Sequence, residues 1–238
     1  MTSSNTKLTL FGTTVSQPTR AVYWLLLISG VPFEQQDVMP LRGETKTAEF
    51  RKLNPAGLIP VLVEEGEGGK DRFALGESGA ILTYLGDKYG SLPQLAGFYP
   101  PPSDPRGRAR VAAALHHHHG TTRLLTLQVF RPLLLEMAFG KPRDEAAKKR
   151  GAKTLESVLA GLEETLQRAA GGFVLGERPT LVDLQYYCEV DQLEVFSIAD
   201  FSRFPLVGAW AKRMKTLPLY QESHQALFDF AKSIKAKI

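Results

Sequence analysis

The strongest constraint on the fold is a change in hydrophobic periodicity near residue 90. Before that point, short runs with the period of a strand alternate with longer runs with the period of a helix, and beyond about residue 106 only the helical period continues. The segment between them, residues 91–105, is rich in Pro and Gly and is typical of a linker. A mixed half followed by an all-helical half predicts two domains, residues 1–90 and 106–238.

Within the first domain the pattern predicts the order β-α-β-α-β-β-α. Pro18 suits the first turn of the opening helix, and Gly30 suits the position that ends it. The predicted strands cover residues 7–11, 33–38, 61–63 and 72–74, and the other helices of this domain cover about 47–53 and 77–88. In the second domain, helices are predicted at about 106–139, 144–170, 180–195, 205–216 and 219–234.

Composition narrows the classes of protein to which the chain belongs. Apolar residues make up 43% of 238, which suffices for a sizeable core. The single cysteine, Cys188, excludes an intramolecular disulfide and fits a reducing compartment. We expect a cytoplasmic protein, because the sequence shows neither a membrane-length apolar run nor a signal peptide. The net charge of +4 is spread without a basic stripe or a cationic amphipathic helix, so we expect neither a nucleic-acid nor a membrane partner.

Ser16 is the first candidate for chemistry, since it stands where the first strand and its turn give way to a helix. The N-terminus of a helix offers free N–H donors and a partial positive charge, which stabilise an anion such as a thiolate. A serine hydroxyl adds one more donor. The simpler interpretation is that Ser16 only caps the helix, and the local sequence by itself favours it.

Two further segments carry candidate ligand-binding groups. Pro60 enters the third strand. It fits either a cis bond, which would present the backbone of Ile59 to a bound peptide, or an ordinary trans bond at a strand edge. Glu77 and Ser78 open the third helix, where a hydroxyl with adjacent N–H groups can hold a carboxylate and Glu77 an ammonium group. Capping again explains the pair equally well.

Taken together, these segments resemble the glutathione transferase superfamily, and the resemblance covers nearly the whole chain. Ser16-Gln-Pro-Thr-Arg-Ala-Val-Tyr23 is similar to the start of the theta class, and Asn54-Pro-Ala-Gly-Leu-Ile-Pro60 is similar to the loop before the family's cis-proline. Glu77-Ser-Gly-Ala-Ile-Leu82 resembles its γ-glutamyl-binding motif. Residues 173–183 resemble its buried capping box, in which Thr180 and Asp183 fit the pattern S/T-x-x-D.

The resemblance implies a thioredoxin-like N-terminal domain, an all-helical C-terminal domain and glutathione as the co-substrate, with no metal. It implies that Ser16 hydrogen-bonds the glutathione sulfur, which lowers the pKa of the thiol and favours the nucleophilic thiolate. Ile59, followed by Pro60, would pair its backbone with the cysteinyl unit. Glu77 and Ser78 would bind the γ-glutamyl end.

Two positions depart from the theta pattern. Thr45 stands where a theta-class histidine usually meets the glycyl carboxylate of glutathione, and Leu58 stands where a basic residue often does the same. We therefore expect this carboxylate to be held less well. Arg42, Lys46 and Lys52 are the nearby cations that are candidates to replace those contacts.

A run of four histidines, residues 116–119, lies inside a predicted helix. Four successive helical residues point in different directions, so the run is not expected to hold a metal. The segment Leu115 to Arg123 resembles the fourth helix of the theta class, which borders the electrophile pocket. This resemblance makes His119 and Arg123 candidates for that pocket, with Arg123 holding an anionic leaving group. A salt bridge to a neighbouring helix is the alternative for Arg123.

The function predicted from the resemblance is conjugation of glutathione to a small, apolar electrophile, in a detoxifying homodimer. The alternative is a non-catalytic ligand carrier or protein-interaction module, because fold does not fix function. Thr45 and Leu58 favour that alternative, whereas Ser16, Glu77 and Ser78 oppose it. Cys188 is expected to be an inert core thiol. Disulfide exchange is not predicted, because omega-like transferases have a catalytic cysteine where this chain has Ser16.

Overall fold

The computed structural model describes residues 6–69, 71–140, 142 and 144–235. Its first part contains a four-stranded sheet in the order β2-β1-β3-β4, in which β1 and β2 are parallel and the other pairs are antiparallel. The strands are β1 Lys7–Phe11, β2 Glu34–Gln36, β3 Val61–Glu65 and β4 Phe73–Gly76. The helices of this part are α1 Gln17–Ser29, α2 Ala48–Leu53 and α3 Ser78–Tyr89.

The rest of the chain is helical, and the predicted fold class is confirmed. The longer helices are α4 Pro105–His118, α5 Arg131–Phe139, α6 Glu145–Ala169, α7 Leu181–Val195, α8 Pro205–Met214 and α9 Tyr220–Lys235. A π-helical segment, Leu125–Phe130, precedes α5. None of the helices described combines the length and the apolar character needed to cross a bilayer. The domain limits at residues 90 and 106 stay predictions.

The helix predicted over residues 106–139 is interrupted, and Pro132 supplies the physical reason for part of the break. After α4 the backbone tightens around Gly120, whose N–H donates to the carbonyl of His117 three residues back. It then widens into the π segment ahead of Pro132, the second residue of α5. Proline has no N–H to give to the carbonyl four residues earlier, so the regular ladder cannot pass through it.

One hydrophobic cluster joins the two parts of the chain. It includes Leu10 and Leu62 of the sheet, Trp24 of α1, and Tyr187 and Trp210 of α7 and α8. Trp24 and Tyr187 have ring centroids 6.0 Å apart, so α1 packs directly on α7. This core fixes the sheet and α1 against the helical domain.

The predicted capping box at the start of α7 is also present. Thr180 accepts from the N–H of Val182 at 3.3 Å, and Asp183 accepts from the N–H of Thr180 at 2.8 Å. Asp183 is fully buried and also accepts from the indole of Trp210 at 3.0 Å. Burial raises the pKa of this carboxyl group, while its hydrogen bonds act in the opposite direction. Its role is therefore to join α7 to α8.

Candidate functional site

The register of the sheet brings the three predicted segments to one edge. Phe11, at the end of β1, pairs with Val61 at the start of β3, and Val61 also pairs with Gly76 at the end of β4. The turn that follows β1, the residues that precede β3 and the residues that follow β4 therefore leave the sheet side by side. Ser16, Ile59–Pro60 and Glu77–Ser78 belong to these three segments.

Gly12 shows how closely the first two segments approach. Its φ is +144°, and a Cβ placed on it would lie 2.8 Å from Oγ1 of Thr19 and 3.3 Å from Cβ of Ile59. Any larger residue would push α1 away from the loop before β3. Glycine therefore lets the end of β1, the start of α1 and Ile59 share one small volume.

Ser16 is the residue that precedes α1, and the interpretation that its side chain caps the helix is wrong. Its backbone is extended, with φ −72° and ψ 129°, but its hydroxyl makes no capping bond. No described residue is hydrogen-bonded to that hydroxyl, and the side chain is half-buried. The hydroxyl is thus available to a ligand at the positive end of α1.

Arg20 holds the turn that leads to Ser16. Its guanidinium is fully buried and donates to the carbonyl oxygens of Thr14 at 3.0 Å and Val15 at 2.9 Å. The same group donates to the carbonyl of Cys188 and to Oδ1 of Asp191, both at 3.0 Å and both on α7. The backbone before Ser16 is therefore tied to the helical domain through one side chain, a role that the sequence did not predict.

The loop before β3 ends in a cis bond between Ile59 and Pro60, the first of the two alternatives left open. Asn54 braces this loop, since its Nδ2 donates to the carbonyl of Leu58 at 2.8 Å and its Oδ1 accepts from the N–H of Ala56 at 3.1 Å. A Cβ on Gly76 would lie 3.2 Å from Nδ2 of Asn54. Asn54 thus joins this loop to the end of β4, next to the third segment.

The two positions that depart from the theta pattern differ in their exposure. Thr45 lies in a short 3₁₀ turn, residues 44–46, and is only 5% exposed. Its carbonyl oxygen would lie 3.0 Å from a Cβ on Gly57, so this turn packs on the loop before β3. Leu58 is 58% exposed, and its side chain has no polar group with which to bind a carboxylate. Arg42, Lys46 and Lys52 are exposed nearby in sequence.

Glu77 and Ser78 form the third segment, and neither caps α3. Glu77 adopts φ +65° and ψ 108°, a conformation that is costly for a residue with a Cβ, and its exposed side chain makes no capping bond. Ser78 is 6% exposed and its Oγ accepts from Nε2 of Gln185 on α7 at 2.9 Å. Strained backbone of this kind is concentrated at binding sites.

Glu189 of α7 is the centre of a second group of polar side chains. It is fully buried, and its Oε1 accepts from Nη1 of Arg123 at 2.9 Å and lies 3.2 Å from Nε2 of His118. Its Oε2 accepts from the hydroxyl of Thr126 in the π segment. The salt bridge that was the alternative for Arg123 is therefore present. The side chain of Arg123 remains 24% exposed.

Gln17, the residue after Ser16, connects this group of polar side chains to the start of α1. Its Oε1 accepts from Nη1 of Arg123 at 3.4 Å, and its Nε2 donates to Oε1 of Gln192 on α7. Both residues that flank the Ser16 position in the chain, Val15 and Gln17, are thus fixed by side chains that reach α7. The start of α1 is held on both sides.

The histidine run turns one residue, His118, to the interior and leaves His119, the candidate for the electrophile pocket, exposed. His118 is 1% exposed and contacts Glu189, whereas His119 is exposed at the end of α4. One residue further along a helix turns the side chain by about 100°. Among the side chains that the structure describes, no three His, Cys, Asp or Glu gather as metal ligands would.

Cys188 lies in the core, where its carbonyl oxygen accepts from Arg20 and its thiol is enclosed by the protein. Its side chain is fully buried, and burial raises the pKa of its thiol far above the ordinary value. The neighbouring Arg20 opposes that shift without cancelling it. A buried thiol that resists ionisation is a poor nucleophile.

Comparison with known proteins agrees with this geometry. Two family models match the chain, "Glutathione S-transferase, N-terminal domain" at residues 10–94 and "Glutathione S-transferase, C-terminal domain" at residues 130–222. The human protein glutathione S-transferase theta-2 is 32% identical over 97% of this chain and 91% of its own length. Glutathione S-transferase T1 of Arabidopsis thaliana is 29% identical over 93% of this chain and 89% of its own.

Solved structures of glutathione transferases have the same fold as this chain. The crystal structure of human glutathione transferase theta-2, in complex with glutathione and an unknown ligand, superposes with a TM-score of 0.80 at 31% identity, covering 97% of this chain and 91% of that one. A delta-class glutathione transferase of Nilaparvata lugens superposes with a TM-score of 0.76 at 30% identity, covering 97% and 100% of the two chains.

Proposed function

Because this chain belongs to the glutathione S-transferase family and is a glutathione transferase, we propose that it binds glutathione along the sheet edge described above and activates the thiol with Ser16. One observation carries this proposal, namely that the Ser16 hydroxyl makes no bond to a described residue although it stands at the N-terminus of α1. If Ser16 served only to cap the helix, its hydroxyl oxygen would accept a hydrogen bond from a backbone N–H of the first turn.

Activation of the thiol follows from hydrogen bonding and charge. The hydroxyl of Ser16 donates to the glutathione sulfur, and this bond favours the thiolate over the thiol. The positive end of α1 acts in the same direction. The thiolate then attacks the electrophile, forming a carbon–sulfur bond while the leaving group departs with its electron pair. Positioning of the two reactants supplies the rest of the acceleration.

Recognition of the remainder of glutathione uses the other two segments. The backbone of Ile59, set by the cis bond to Pro60, pairs with the cysteinyl unit as a neighbouring strand would. Ser78 and the first N–H groups of α3 bind the γ-glutamyl carboxylate, and Glu77 binds its ammonium group. Thr45 and Leu58 contribute little to the glycyl carboxylate, since one is buried and the other apolar.

Arg123 is our candidate for contact with the electrophile. Its Nη1 is held by Glu189 and Gln17, and this anchor orients the rest of the guanidinium, on a side chain that is 24% exposed, for an anionic leaving group. His119 is a weaker candidate, because the structure turns His118 inward instead. We propose a small, apolar electrophile, in keeping with the resemblance to the theta class.

We also propose that the protein is cytoplasmic, detoxifies electrophiles and forms a homodimer. The single buried cysteine fits a reducing compartment. For the homodimer, Phe73 on the outer strand β4 is 42% exposed beside Tyr84 of α3, with ring centroids 5.3 Å apart. An apolar surface at the end of the first domain suits a symmetric contact. Sedimentation equilibrium tests the dimer.

The deciding experiment combines calorimetry with turnover of an alkyl or aryl halide. We expect wild type to bind glutathione, and Ser16→Ala to bind it too but turn over at least about tenfold more slowly, a loss of about 1.4 kcal/mol. Ser91→Ala is the matched control, because Ser91 is an exposed serine outside the site. No binding at millimolar glutathione would instead favour the non-catalytic carrier or interaction module.

A further inference from the structure

Gln185 of α7 is a side chain of the helical domain that reaches the start of α3. Its Nε2 donates to Oγ of Ser78 at 2.9 Å, across 107 residues of sequence. Gln185 is 3% exposed and Ser78 is 6% exposed, so water does not compete freely for this bond. The helical domain therefore touches one of the residues that bind the γ-glutamyl end.

The direction of this hydrogen bond determines what Ser78 can do. A serine hydroxyl has one proton to donate and two lone pairs to accept with. Since the Gln185 amide occupies a lone pair, the proton of Ser78 is left for a different acceptor. No described residue accepts that proton. A ligand carboxylate at the N-terminus of α3 is an acceptor of the right charge for this place.

The two residues next to Ser78 in space and in sequence, Gln185 and Glu77, each carry an unfavourable feature. Oε1 of Gln185 is buried and has no hydrogen-bond partner among the described residues. A buried carbonyl group without a partner destabilises the folded chain, and an apolar side chain of similar size at this position would avoid that loss. Glu77, directly before Ser78, has a φ of +65°. Costs of this kind persist at binding sites, where they hold a group in the orientation that a ligand needs.

We propose that Gln185 is a positioning residue for the γ-glutamyl subsite. Its amide fixes the rotamer of Ser78 and directs the Ser78 proton toward the α-carboxylate of glutathione. This inference rests on the proposed function, because it requires that Ser78 binds glutathione. Gln185 acts through Ser78 and does not itself touch the ligand. Recognition of glutathione then depends on the helical domain of the same chain as well as on the sheet.

The experiment uses the full-length protein and two ligands, glutathione and its analogue without the α-carboxylate, 4-aminobutyryl-cysteinyl-glycine. Gln185→Met keeps the shape of the side chain but has no N–H to donate. We expect it to weaken glutathione binding about 5- to 20-fold in calorimetry and to change the affinity for the analogue less than about twofold. KM for glutathione should rise while kcat stays near that of wild type.

A double-mutant cycle shows whether Gln185 works through Ser78. The variant with both Ser78→Ala and Gln185→Met should bind glutathione no more weakly than Ser78→Ala alone. Gln185→Glu is a second variant, in which the carboxylate captures the Ser78 proton and repels the ligand, so it should bind more weakly than Gln185→Met. Gln221→Met, an exposed position on α9, is the control and should match wild type.

The outcomes separate the two proposals. Equal weakening of both ligands, or a fall in kcat with unchanged KM, would mean that Gln185 only joins the domains, and the inference would be wrong. Wild-type affinity in Gln185→Met would also overturn it, while leaving the proposed function intact. Failure of wild type to bind glutathione would overturn both.

Discussion

Nη2 of Arg20 donates to Oδ1 of Asp191 at 3.0 Å, and both side chains are essentially without exposure to solvent. The pair joins α1 to α7, and the same guanidinium holds the carbonyl oxygens of Thr14 and Val15. A charge in this position cannot be solvated if its partner is lost. The placement of Ser16 therefore depends on a carboxylate that lies 175 residues further along the chain.

The first prediction concerns this ion pair. Asp191→Asn leaves the buried guanidinium of Arg20 without a counter-charge, so the free energy of unfolding should fall by about 3–5 kcal/mol in urea titration. The exposed pair of Glu156 and Arg203 offers the control, because solvent screens it. Glu156→Gln should leave the free energy of unfolding in the same urea titration nearly unchanged. Equal effects from the two variants would contradict the importance of burial.

The second prediction concerns pH. Burial lowers the pKa of His224 below 6.5, and the positive charge of Arg20 lowers it further. Asp191 acts in the opposite direction. Its Oδ2 lies 3.1 Å from Nε2 of His224, outside hydrogen-bond geometry. Just below pH 6.5, His224 therefore binds a proton in the unfolded chain but remains neutral in the folded chain. The free energy of unfolding should fall as pH drops below about 6.5, by up to about 1.4 kcal/mol per pH unit from this group.

Urea titrations between pH 5 and pH 8 test this, with His224→Gln as the comparison. At pH 8 the histidine is neutral in both states, so the variant there reports the loss of the contacts of the neutral ring, which packs on Trp24 with ring centroids 4.8 Å apart and places Nδ1 3.0 Å from the carbonyl oxygen of Tyr220. Below pH 6.5 the difference between wild type and variant should shrink. A constant difference across the range would show that His224 does not carry the pH dependence.

The third prediction separates crowding from backbone strain. Gly12 and Gly176 have nearly the same positive φ, +144° and +141°, but of the two only Gly12 has neighbours within reach of an added Cβ. Gly176→Ala should cost about 1–3 kcal/mol of unfolding free energy for conformation alone. Gly12→Ala should cost more and should also slow turnover, because the new methyl group pushes Thr19 and Ile59 apart. Equal losses in both variants would exclude crowding.

The fourth prediction restores charge beside the glycyl carboxylate. Leu58 is 58% exposed, so Leu58→Arg should be accommodated without repacking. We expect glutathione to bind about 3- to 10-fold more tightly, in line with a partly exposed ion pair, and this gain should decrease at high salt. Leu206→Arg, at an exposed leucine of α8, adds the same charge elsewhere and should change nothing. A similar gain there would indicate a nonspecific effect.

The segments of the site were predictable because each combines a turn signal with a helix or strand boundary. Ser16, Pro60 and Glu77 lie at such boundaries, and the sheet register then brings them together. Local sequence misjudged what the hydroxyls do, however. Capping is the commonest use of a serine before a helix, and only the folded structure shows that the Ser16 oxygen makes no capping bond.

The contribution of α7 was missed for a different reason. Polar residues such as Gln185, Glu189 and Asp191 would ordinarily mark the solvent face of a helix. In this helix every residue from 181 to 193 is buried, and those polar groups meet partners from α1, α3 and α4. A signal was present, because the apolar residues of α7 surround the helix and form no single stripe.

The burial of α7 against α1 and α3 has a consequence for the evolution of such chains. A recombinant in which residues 1–90 came from a relative would bring new side chains against Gln185, Asp191 and Gln192, and each mismatch would leave an amide or a carboxylate without a partner in the interior. The halves are therefore poor modules for exchange. Successful chimeras of this protein should inherit α7 from the same parent as the sheet.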